Sequence, residues 1–126
     1  MKLRIRGNTL RLRLSRSETN ELAERGEVRD GIAFGPLAAD RLGYSLVASD
    51  DAAVTFARLS GSSVEVFAPK ALVREWAASD TVGFEAEQAI GDGSFLKILV
   101  EKDFACLTPR TGEDDTDAFP NPNETC

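Results

Sequence analysis

The stretch KLRIRGNTLRLRLSRSE, residues 2–18, decides the fold class. Leu3 and Ile5 alternate with Lys2, Arg4 and Arg6, and Leu10, Leu12 and Leu14 alternate with Thr9, Arg11 and Arg13. Period two is the signature of a half-buried strand, so two strands are expected here. Gly7-Asn8 lies between them and suits a two-residue hairpin turn, because glycine tolerates the positive φ that such turns need. Ser15-Arg16-Ser17-Glu18 then reads as a capping box, with the Ser15 hydroxyl accepting from a free N–H and Glu18 reaching back. Leu22 and Ala23 give that helix a short apolar face to about Arg25, and Gly26 supplies a left-handed end. The chain therefore opens strand, strand, helix.

Working outward, strand patterns dominate. Candidates are Val28 to Phe34, Gly43 to Ala48, Ala53 to Leu59 with Val54 and Phe56 on one face, and Ser63 to Phe67. Ser60-Gly61-Ser62 is a turn signal. Pro69 fits the first turn of a second helix, since it has no N–H to lose there. Leu72, Val73, Trp76 and Ala77 form its apolar face and Ser79-Asp80 ends it. Val82, Phe84 and Ala86 alternate with Gly83, Glu85 and Glu87, Gly91-Asp92-Gly93 turns the chain, and Phe95 to Val100 is apolar on both faces. Such a strand belongs in the middle of a sheet. No internal repeat is legible, and no linker precedes residue 108.

Short connections and hairpin turns predict an α+β fold: one compact domain, a mainly antiparallel, curved sheet of about eight strands, and two short helices. The ββα opening also suits a β-grasp-like alternative. Residues 1–107 read as the domain and residues 108–126 as an acidic, proline-containing tail packed on it. The lengths agree, because 126 residues with 42% apolar side chains and seven Phe suffice for a single core.

At RLRLSRSE, DTVGFE, ILVEKDFACL and DAFPNPN the chain resembles a family of small bacterial proteins known only as a domain of unknown function. The likeness spans nearly the whole chain. It implies a compact bacterial protein of about this length and brings no activity, cofactor or catalytic residue with it.

Charge is unevenly placed. Residues 1–16 hold six basic residues and no acid, residues 113–126 hold Glu113, Asp114, Asp115, Asp117 and Glu124 and no base, and the net charge is −6. No apolar run approaches the roughly 20 residues a membrane helix needs, and the basic start lacks the apolar stretch of a secretion signal. Two distant cysteines suit a reducing compartment, so a cytoplasmic location is expected.

The chemistry on offer is narrow. There is no histidine, which removes Ser–His and Cys–His pairs within this chain. GDGSFLK, residues 91–97, is glycine-rich but lies between two strands and reads as a hairpin turn, not a phosphate loop. Cys106 and Cys126 are the weak metal or redox candidates, lacking the clustered spacing of a zinc site; no metal and no cofactor is expected. The run Glu113 to Asp117 does not match a calcium loop, because Phe119 and Pro120 follow where ligands and a glycine are required. Glu101 and Asp103, two apart at a strand end, and Asp80 are the weak candidates for acid–base catalysis.

The strongest surface feature is the hairpin. Arg4, Arg6, Arg11 and Arg13 would share one face, where guanidinium groups hold phosphate or carboxylate through paired hydrogen bonds. The acidic whole argues against nucleic acid as the partner. The expectation is a non-enzymatic binding module whose arginine face takes a small anion or an acidic partner segment, with its own acidic tail as a cover for that face. The alternative is a small enzyme acting on an anionic substrate with carboxylate acid–base residues.

Overall fold

A computed structural model describes residues 1–104 and 117–120. The opening reads as expected. Strands β1 (Lys2–Arg6) and β2 (Thr9–Leu14) form an antiparallel hairpin, and helix α1 (Arg16–Arg25) follows. Gly7 turns the hairpin at φ 56°, and Gly26 ends the helix at φ 84°, both left-handed. The capping box is complete: Glu18 N–H donates to the Ser15 hydroxyl, and Ser15 N–H donates to the Glu18 carboxylate at 2.9 Å. Helix α1 buries Thr19 and Leu22.

Then come β3 (Glu27–Ala33), β4 (Arg41–Ser49), β5 (Phe56–Ser60), β6 (Ser63–Pro69), α2 (Lys70–Ala78), β7 (Gly83–Ala89) and β8 (Phe95–Lys102). Val54, expected on a strand, precedes β5 and is exposed. The α+β domain, its eight strands and its two short helices are as the pattern predicts. The strands form two four-stranded sheets, in the orders β1-β2-β8-β7 and β3-β4-β6-β5. Most pairs are antiparallel, but the central pair of each sheet, β2 with β8 and β4 with β6, is parallel. Strand β8, apolar on both faces in sequence, is indeed internal, lying between β2 and β7.

The two sheets turn one face onto a shared core. Leu10, Leu12, Leu14, Ile98 and Val100 come from the first sheet, Val28, Leu46, Val66 and Ala68 from the second, and Leu22, Val73 and Trp76 from the helices. Trp76 is buried edge-on against Phe84 with ring centroids 5.4 Å apart, and its indole N–H donates to Val82 O at 3.1 Å. At one lateral seam the Gln88 amide on β7 acts like a strand backbone: it accepts from Ala57 N–H at 2.7 Å and donates to Ala57 O at 2.9 Å on β5. At the other seam the Met1 ammonium pairs with Glu18 and Asp30, and Tyr44 donates to Met1 O at 2.8 Å.

A repeat the sequence conceals appears in this topology. The order ββαββ occurs twice, and β1 and β5, β2 and β6, α1 and α2, and β4 and β8 each start 54 residues apart. The repeats exchange hairpins: each sheet takes one hairpin from each half. Leu10 corresponds to Val64, Leu12 to Val66, Leu22 to Trp76 and Leu46 to Val100, all in the core but for half-buried Val64, which packs against it. Gly7 and Gly61 occupy the same turn at φ 56° and 57°.

Candidate functional site

The face of the first sheet turned away from the core is built in rows. Cross-strand partners place Arg4 beside Arg11, Leu99 and Glu85, and Arg6 beside Thr9, Lys97 and Glu87. The third row is Lys2, Arg13, Glu101 and Gly83. The arginines anticipated as one face therefore do share it, on β1 and β2. Arg4, Arg6, Arg11 and Thr9 line a surface hollow of about 190 Å³, and Arg13 lies one row away. Arg4 and Arg6 are exposed, whereas Arg11 and Arg13 are half-buried.

Arg11 Nε approaches Glu101 Oε1 at 2.8 Å. That buried oxygen nevertheless receives no hydrogen bond, so the contact is electrostatic and the guanidinium keeps donors to spare. Arg4, Arg6 and Arg13 make no ion pair among the described residues.

The second repeat supplies a comparison inside the same molecule. Arg58 stands where Arg4 stands in the first repeat, Glu65 where Arg11 stands, and Phe67 where Arg13 stands. Arg58 donates to Glu65 at 2.9 Å and lies over the Phe67 ring at 4.9 Å. Its charge is satisfied locally. In the first repeat the same backbone carries arginines in all three places.

The other half of the first sheet's outer face is acidic. Glu85 and Glu87 on β7 are exposed, and Glu85, Glu101, Gly83, Val82, Phe84 and Leu99 line a second hollow of about 220 Å³. Gly83 lets β7 approach β8 closely at this hollow, because a Cβ there would come within 2.3 Å of Val100 O.

Two of the candidate acids, Glu101 and Asp103, lie at one end of β8, and the third, Asp80, lies beyond α2. Glu101 lies beside Arg11, Asp103 is buried and held by Lys2 at 2.9 Å, and Asp80 is exposed beyond α2. Asp80 acts on Lys102, which leaves β8 on the side opposite Glu101. Sequence reasoning gave Lys102 no role. It is buried, donates to Ser79 O at the end of α2, and stands over Trp76 and Phe119 at 5.8 and 5.3 Å. Burial holds its ammonium below the ordinary 10.5, with only partial relief from Asp80. Its place in the β8 alternation was the available signal, since Ile98 and Val100 share its side.

The described part of the tail lies at the start of α1. Asp117 O accepts from Arg16 N–H at 2.9 Å, its carboxylate accepts from the Ser17 N–H at 3.3 Å and from the Ser17 hydroxyl, and Phe119 N–H donates to Asp103 O at 2.7 Å. Phe119 packs edge-on to Phe104 at 5.8 Å, and Ala118 is buried. Cys106, Cys126, Glu113, Asp114, Asp115 and Glu124 lie outside the described residues. No group of metal-ligating side chains occurs among the described residues. No helix among them is long and apolar enough to cross a membrane.

One comparison places the chain. Residues 1–123 match the family described as a family of unknown function, DUF7009. The chain belongs to that family. For this DUF7009 member, no curated protein and no solved structure gives a match.

Proposed function

We propose that the chain is a non-enzymatic binding module of the bacterial cytoplasm, and that Arg4, Arg6 and Arg11 with Thr9 receive an anionic group of an acidic partner. One observation carries this: the same backbone occurs twice, and among the described residues Arg58 of the second copy is paired by its own Glu65 whereas its counterpart Arg4 makes no ion pair. Two exposed guanidiniums and one half-buried one around a hollow of about 190 Å³ suit a carboxylate or phosphate group. Each guanidinium offers a planar fork of donors to two oxygens. The setting follows from two cysteines twenty positions apart, which suit a reducing compartment.

The test is titration calorimetry with inorganic phosphate and with polyglutamate. Arg4→Ala with Arg6→Ala should weaken binding of the probe by about ten-fold or more, a loss of about 1.4 kcal/mol. Raised salt should weaken it further. Unchanged binding by the double variant would remove the reading. Neutralising Glu113, Asp114 and Asp115 together asks whether the tail competes, and competition would appear as tighter probe binding. The enzymatic alternative rests on Glu101, the candidate acid beside an arginine of the face; it requires turnover that Glu101→Gln abolishes while probe binding survives.

A further inference from the structure

We infer that the acidic partner of the arginine face is a second copy of this chain, docked sheet against sheet about a two-fold axis parallel to the strands. The inference rests on the anion-binding reading above and names the occupant. Its basis is the division of one sheet face into a basic half, β1 and β2, and a mainly acidic half, β7 with Glu101 of β8, where Lys97 of β8 lies 3.9 Å from Glu85 and leaves Glu87 without an ion pair among the described residues.

A two-fold axis along the strands, between β2 and β8, reverses the order of strands and keeps the rows level. Strand β1 of one copy then lies over β7 of the other. Row by row, the observed register sets Arg4 opposite the second copy's Glu85, Arg6 opposite its Glu87 and Arg13 opposite its Glu101. Every pair occurs twice, as an isologous contact requires. Half-buried Arg11 comes to rest over Leu99 near the axis. Sheets stack about 10 Å apart, a gap that extended arginine and glutamate side chains span together. Aligned packing keeps strand directions within about 30°, so neighbouring rows stay matched.

The hollows agree. The basic one measures about 190 Å³ and the acidic one about 220 Å³, one on each half of the same face. A face of four strands about 4.8 Å apart and about six residues long covers roughly 19 by 20 Å, or about 400 Å², which is below the roughly 800 Å² per partner of a standard stable interface. The association is accordingly weak and salt-sensitive.

Sedimentation velocity of the full chain tests this, at low and at high salt. The variants are Arg4→Glu with Arg6→Glu, and Glu85→Arg with Glu87→Arg; all four positions are exposed, and circular dichroism verifies the fold. The wild type should associate at low salt and separate at high salt. Each double variant alone should be monomeric, and an equimolar mixture of the two should associate again. A monomeric wild type at low salt overturns the inference, as does a mixture that stays monomeric. Association only after neutralising Glu113, Asp114 and Asp115 also overturns it, because the chain's own tail then holds the face. Failure of the anion site is separately visible: if Arg4→Glu with Arg6→Glu binds phosphate and polyglutamate as the wild type does, that reading falls whatever the association state.

Discussion

At the scale of single residues, Asp117 shows how a distant side chain completes a helix start. The first turn of α1 has free N–H groups, and Ser15 satisfies one of them through the Glu18 amide. Asp117 reaches Arg16 and Ser17 from 100 residues further along the chain. Hydrogen bonds from Ser17, then Ser15, hold its carboxyl below the ordinary 3.8. A depressed carboxyl stabilises the docked form above the unfolded value, and that help is lost as pH falls through the folded one. The Ser17 amide resonance should therefore titrate with a midpoint below 3.8, and Asp117→Asn should abolish the titration. The capping box was legible because its partners are three residues apart. Asp117 was not, since nothing local couples residue 117 to residue 17.

At the scale of elements, alternation identified strands and their exposed sides but not their neighbours. The hairpin was legible because its two strands and turn are contiguous. Glu85 and Glu87 were equally visible as the outer face of a strand. That they share a sheet with Arg4 and Arg6 depends on β2 pairing in parallel with β8, a contact no local signal encodes. The two-sheet division likewise hinges on the seams, where Gln88 stands in for a missing strand pair. Replacing it with alanine leaves the N–H and C=O of Ala57 without these partners. Gln88→Ala should cost about 1–3 kcal/mol in urea unfolding and should accelerate hydrogen exchange at the Ala57 amide. Unchanged exchange there would mean that the seam is held by the core alone.

At the scale of the whole molecule, the hairpin exchange makes the halves interdependent. Residues 1–54 contain β1, β2, α1, β3 and β4, yet those strands are divided between both sheets. Neither half owns a complete sheet, and each would expose the apolar faces that meet in the shared core. Fragments 1–54 and 55–126 should each lack the cooperative unfolding of the intact chain, and mixing them should restore it, as followed by Trp76 fluorescence. A cooperative transition in either fragment alone would contradict this. The repeat escaped sequence reading because only the burial pattern recurs: Leu22 answers to Trp76, and Arg11 to Glu65. Physical equivalence needs an apolar volume in the same place, not the same side chain.

The duplication also gives the protein an internal reference. Arg4 and Arg58 occupy matching sites in one molecule at one temperature, pH and ionic strength, one guanidinium open and the other clamped by Glu65. In a single nitrogen-detected spectrum, the exchange rates of their Nε protons would report the difference directly. A ligand of the arginine face would slow the first and leave the second as its unmoved standard.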